Sequence, residues 1–154
     1  MKDIKSFLRY ISINSQFANH FYTIGRDCRF LYVLKGTCTL HTEETDFLLT
    51  PNSLVYYPCG ISYYFESTTT DSDTDLEYIT LNFDFTYDYS HIKKCLFPIK
   101  AELFNPEKLL PSYQDIDIPV FSSPFVIDDI PHIKEDLLRL TKMFRKVNPY
   151  AEHI

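Results

Sequence analysis

From Phe7 to Thr86 the chain is a succession of short runs rich in aromatic and β-branched residues, each ended by a turn after four to eight positions. The runs are FLRYISI, FYTI, RFLYVLKG, CTLHT, DFLLT, LVYYP and SYYFES. Turn residues separate them at Asn14-Ser15, Gly36, Glu43-Glu44, Pro51-Asn52 and Cys59-Gly60. No run is long enough for an ordinary helix, and each has the length and residue types of a strand. Many short strands so closely spaced bury their apolar faces only against one another, which predicts a sandwich or barrel.

After a polar, acidic stretch, Glu66 to Asp75, a longer strand runs from Leu76 to Phe85 with strict alternation. Leu76, Tyr78, Thr80, Asn82 and Asp84 share one face, and Glu77, Ile79, Leu81, Phe83 and Phe85 share the other. The polar face suits either bulk water or a wet interior. Residues 86 to 124 contain Pro98, Pro106, Pro111, Pro119 and Pro124, which leave room only for short helices at Ser90 to Leu96 and Pro106 to Leu110. From Pro131 to Val147 the apolar residues Ile133, Leu137, Leu140, Phe144 and Val147 recur at spacings of four, three, four and three, the pattern of a helix–helix seam. Such a stripe fits a partner helix or the chain's own barrel equally well, and Leu138 and Met143 widen it.

The chain has 154 residues, one domain's worth, and its aromatic content comes from 12 Tyr and 13 Phe with no Trp. A net charge of -6 argues against direct binding to phosphate backbones. The N-terminal residues carry Asp3, Lys5 and Arg9 within any apolar run, unlike a secretory signal, so a cytoplasmic location is expected. Residues 47 to 65 carry no charge, yet Pro51, Asn52, Pro58 and Gly60 break them into strands and turns rather than a membrane span.

Chemistry is sparse. Cys28, Cys38, Cys59 and Cys95 lack the C-x-x-C spacing of zinc and redox sites. His20, His41, His91, His132 and His153 are scattered without paired spacing. The sequence contains neither a phosphate loop nor a G-x-S-x-G elbow.

The segment RFLYVLKGTCTLHTEETDFLLTPNSLVYYPCGISYYF resembles the cupin core of AraC-type sensor domains, through the YVLKG run ending at Gly36, the Pro51-Asn52-Ser53 turn and Pro58-Cys59-Gly60. The later DLEYITLNFDF is similar to the family's strand before its helical half. The resemblance spans roughly residues 20 to 86. It implies a mainly β fold, a cupin-like double-stranded β-helix or jelly-roll barrel over residues 1–125, followed by a helical dimerisation segment over 126–154.

Laid on metal-binding cupins, the Glu position falls at Arg29, the second-motif His at Tyr63, and the paired His among Tyr22, Thr23, Ile24 and Gly25. Without those ligands neither a metal nor another cofactor is expected. The resemblance instead implies a small-molecule effector, sugar-like or another polar metabolite, held by Tyr78, Thr80, Asn82, Phe65, Tyr63 and Arg26. It implies a homodimer through Ile133, Leu137, Leu140, Phe144 and Val147, with DNA bound only by a helix-turn-helix half that this chain does not contain. A metal-free cupin enzyme acting on a sugar derivative is the alternative, and an interaction module without a ligand is the third reading.

Overall fold

The structure is a computed structural model that describes residues 6–17, 21–68, 75–85, 87, 98–105 and 118–148. Eight strands follow the sequence runs: β1 (Phe7–Asn14), β2 (Thr23–Ile24), β3 (Cys28–Lys35), β4 (Cys38–Thr42), β5 (Asp46–Leu49), β6 (Leu54–Tyr57), β7 (Ser62–Ser67) and β8 (Glu77–Asp84). Two further short strands, β9 (Ile99–Lys100) and β10 (Phe125–Ile127), lie within and just after the proline-rich residues 86 to 124. The helices expected at Ser90 to Leu96 and Pro106 to Leu110 lie outside the described residues, as do residues 69–74 of the acidic stretch.

The strands form two five-stranded sheets, ordered β1-β8-β3-β6-β10 and β5-β4-β7-β2-β9, with every pairing antiparallel. Alternation along each strand decides what lies between the sheets. Leu31, Val33, Val55, Tyr57 and Tyr78 of the first sheet meet Cys38, Leu40, Leu49, Tyr63 and Phe65 of the second in one buried cluster. The architecture is therefore the mainly β barrel expected, with one C-terminal helix.

The turns use the backbone conformations their residues permit. Gly36 and Gly60 adopt φ of 77° and 84°, and Asn52 bends the Pro51-Asn52 turn at φ 69°. Ser53 closes that turn by donating its hydroxyl to the Thr50 carbonyl at 2.6 Å.

The outer face of the first sheet is covered as well. A single 3-10 turn, Pro131–Ile133, leads into α1 (Lys134–Val147). Ile133, Leu137, Leu138, Leu140 and Phe144 pack on a buried patch of Ile11, Tyr32 and Ile79. Four of the five stripe residues thus face their own barrel, and the fifth, Val147, is 78% exposed. A helix lying along a sheet needs the same narrow apolar stripe as a coiled-coil seam, so spacing alone does not separate the two. The Tyr32 hydroxyl anchors the approach to the helix, donating toward Asn52 Oδ1 at 3.1 Å and the Ile130 carbonyl at 3.2 Å. Next to α1, Phe121 and Phe125 cover Cys28, Tyr56, Phe83 and Phe85 on the same sheet. Among the described residues, no helix is long and apolar enough to cross a membrane.

Candidate ligand site

A cavity of about 150 Å³ opens between the two sheets. The first sheet contributes Tyr78 and Thr80 from β8, Arg29 and Leu31 from β3, and Tyr57 from β6. Opposite them stand Thr23 of β2 and Tyr63, Tyr64 and Phe65 of β7. Phe17 and Pro98 also line it.

Aromatic packing shapes the walls. The Phe17 ring stacks against Tyr78 at 4.6 Å and Phe65 at 5.0 Å, tying the end of the β1 segment across both sheets. Tyr57 and Tyr63 lie 4.9 Å apart with tilted rings. The Tyr78 hydroxyl donates to the Gln16 carbonyl at 2.8 Å, so this residue offers the cavity mainly its ring. Thr23 directs its hydroxyl toward the Tyr63 carbonyl at 3.4 Å, at the limit of a weak bond.

Beside the cavity lies a buried cluster of two guanidiniums and two carboxylates. Arg29 donates through Nε to Asp27 Oδ1 at 2.8 Å. Arg9 Nε stands 3.9 Å from Asp27 Oδ2, and Arg9 Nη2 donates to Asp84. Arg9 reaches this position because β1 bulges between Leu8 and Tyr10, and the extra residue of a bulge is re-aimed out of the strand's alternation. Burial pushes the Asp27 carboxyl above its ordinary range, against the pull of Arg29 and Arg9 and a hydrogen bond from Asn82. Burial also works against the charge of Arg29, but the Asp27 carboxyl that its Nε bonds offsets this, and the guanidinium stays protonated. Burial raises the Tyr57 phenol well above its usual value, so it remains a hydrogen-bond donor.

Of the residues singled out from sequence, the structure brings Tyr78, Thr80, Tyr63 and Phe65 together around the cavity. Asn82 shares their inward face but is 2% exposed and attends to Asp27 rather than to the lining. Arg26 lies in the bend between β2 and β3, half-buried and outside the lining. The cavity's cation is Arg29, three residues further on. Sequence comparison had treated Arg29 only as a lost metal ligand, although it lies in phase with inward Leu31 and Val33. Thr23 and Tyr57 were missed too, and Phe17 lies in a loop where no periodicity marks it.

Fold and site together define a β-barrel enclosing a small, aromatic-walled cavity with a buried cation at its side. No family model matches the chain, and no curated protein is similar to it in sequence. Among solved structures, the chain is similar to ToxT from Vibrio cholerae with bound unsaturated fatty acid, at 12% identity and a TM-score of 0.45, over 92% of this chain and 48% of ToxT. It therefore spans about half of that chain. Protein NMB1881 from Neisseria meningitidis is similar at 7% identity and a TM-score of 0.40, over 53% of this chain and 88% of its own. Protein Ylba from E. coli is similar at 14% identity and a TM-score of 0.37, over 68% of this chain and 47% of its own.

Proposed function

We propose that this chain is the effector-sensing domain of an AraC-type transcription regulator, with a small polar metabolite, sugar-like or otherwise, held in the cavity between the two sheets. The observation that carries the reading is the cavity itself: Tyr78 and Thr80, the residues that the family resemblance marks for ligand contact, line it together with Tyr63 and Phe65. Its volume, about 150 Å³, is below the ~300 Å³ of typical drug-sized sites, so the effector is small or the walls move outward to admit it. DNA binding belongs to a helix-turn-helix half outside this chain, and the working state is a cytoplasmic homodimer.

The dimer contact belongs on the part of α1 that its own barrel leaves open. Met143 and Val147 are 58% and 78% exposed and stand one helical turn apart, beside a groove that Phe7 and Leu8 also line. Ligand binding shifts the regulator by favouring one of two arrangements of this helix, since only differential affinity moves such an equilibrium.

The test is a thermal-shift screen of the purified chain against pentoses, hexoses, short carboxylates and small phenols. A ligand present at about 100 times its Kd adds about 2.7 kcal/mol, or a Tm rise of about 5 °C or more for a chain of this size. Saturable stabilisation without chemical change of the ligand supports a sensor. Turnover of a stabilising compound supports the metal-free enzyme instead.

A further inference from the structure

We infer that the cavity takes a small organic carboxylate on a compact apolar body, with Arg29 as its charge partner. The inference rests on the reading of the cavity as a ligand site, and narrows the chemical class.

Among the described residues, the lining contains one charged side chain, Arg29, and no carboxylate. Arg29 is 6% exposed, so water screens its field poorly. Asp27 engages it from outside the lining, on the Nε side, and Asp27 also stands 3.9 Å from Arg9 Nε. Nε of Arg29 and the Tyr63 ring flank Gly25, at 3.7 and 3.8 Å from where a Cβ there would lie. The cation is therefore fixed at the Tyr63 side of the cavity.

Donors share the lining: Tyr57 keeps its phenolic proton and Thr80 brings a hydroxyl, while the Thr23 hydroxyl is directed to the Tyr63 carbonyl. The remaining walls are hydrocarbon and ring: Phe17, Leu31, Phe65 and the Tyr78 ring, whose hydroxyl is spent on the Gln16 carbonyl.

The described lining thus combines one cation and a few hydroxyl groups with rings and a Leu side chain. A cationic ligand would meet Arg29, and the described lining offers it no carboxylate. A polyhydroxylated ligand would place several hydroxyls against Phe17, Leu31 and Phe65, where each goes unpaired at a cost. An oxyanion head on a flat or short apolar body matches that combination, and charge-assisted pairing to a guanidinium is the strong form of such recognition. The volume of about 150 Å³ favours a body of one ring or a short branched chain.

Benzoate, benzamide and benzyl alcohol share a ring and differ in the head group, which makes them suitable probes for calorimetric titration of the whole chain. Benzoate is expected to bind roughly 10- to 100-fold tighter than benzamide, the gain of a charge-assisted over a neutral contact. Inorganic phosphate, with the charge but no apolar body, is expected to compete poorly. The paired neutral replacement Asp27→Asn with Arg29→Gln should erase the preference, and the wild-type comparison decides the matter even if that variant fails to fold. Equal binding of benzoate and benzamide, or tight binding of phosphate, overturns the carboxylate class and leaves the cavity as a ligand site. Silence from all four probes and from the pentoses and hexoses overturns both readings.

Discussion

Ile79 and Thr80, adjacent on β8, face opposite sides of the first sheet: Thr80 lines the interior cavity, and Ile79 is buried beneath α1. One strand thus separates the candidate ligand from the helix by the thickness of a single sheet. A ligand that displaces β8 outward acts on the helix directly, because packed interfaces shift between discrete arrangements rather than deform continuously.

The two residues predict opposite phenotypes. Thr80→Phe fills part of the cavity and should abolish probe stabilisation in the thermal-shift screen while the chain still folds, at an overpacking cost of about 1–3 kcal/mol. Ile79→Ala removes a side chain that is 1% exposed and should cost about 2–5 kcal/mol in chemical denaturation. Probe binding at low temperature should survive that second change. If Thr80→Phe binds probes as the wild type does, the cavity is not the site.

Asp27 makes a pH prediction with an unusual sign. Burial raises its carboxyl above the ordinary value of 3.8, so the folded chain holds a proton that the unfolded chain has released. Its contribution to stability is therefore full below about pH 3.8 and is lost as pH rises through the raised value. Measured against Asp27→Asn, the wild type should lose relative stability across that window. A relative gain with rising pH would mean that Arg29 and Arg9 outweigh burial.

The helix separates two roles along its length. Leu137 packs on the sheet, so Leu137→Asp should destabilise the fold by roughly 2–5 kcal/mol, as loss of a core Leu does, with added cost for the buried charge. Met143→Glu with Val147→Glu touches exposed positions and should leave stability within about 0.5 kcal/mol per site. In sedimentation, the wild type is expected to be a dimer and that double variant a monomer. A dimer that persists would locate the contact elsewhere.

The eight principal strands were legible because each lies in a run of aromatic and β-branched residues bounded by turns, and β8 showed its inward face through the alternation that includes Tyr78 and Thr80. β9 and β10 were not, since two or three residues carry no period; Phe125–Ile127 is a strand because the edge of β6 accepts it. Arg29 was overlooked for a different reason. Matching it to a metal-ligand position drew attention to what was missing, although its phase with Leu31 and Val33 already placed it inward. The partner of α1 was ambiguous in principle, because an apolar stripe records that a face is covered without recording by what.

The central claim, that a small molecule occupies the space between the two sheets, is tested most directly by solution NMR of the labelled chain with benzoate. The account predicts intermolecular nuclear Overhauser contacts from the benzoate ring to Phe65, Tyr78 and the Thr80 methyl, with saturable shifts at their amides. Contacts confined to the outer groove at Leu140 and Met143, or to exposed residues such as Leu48, would contradict it.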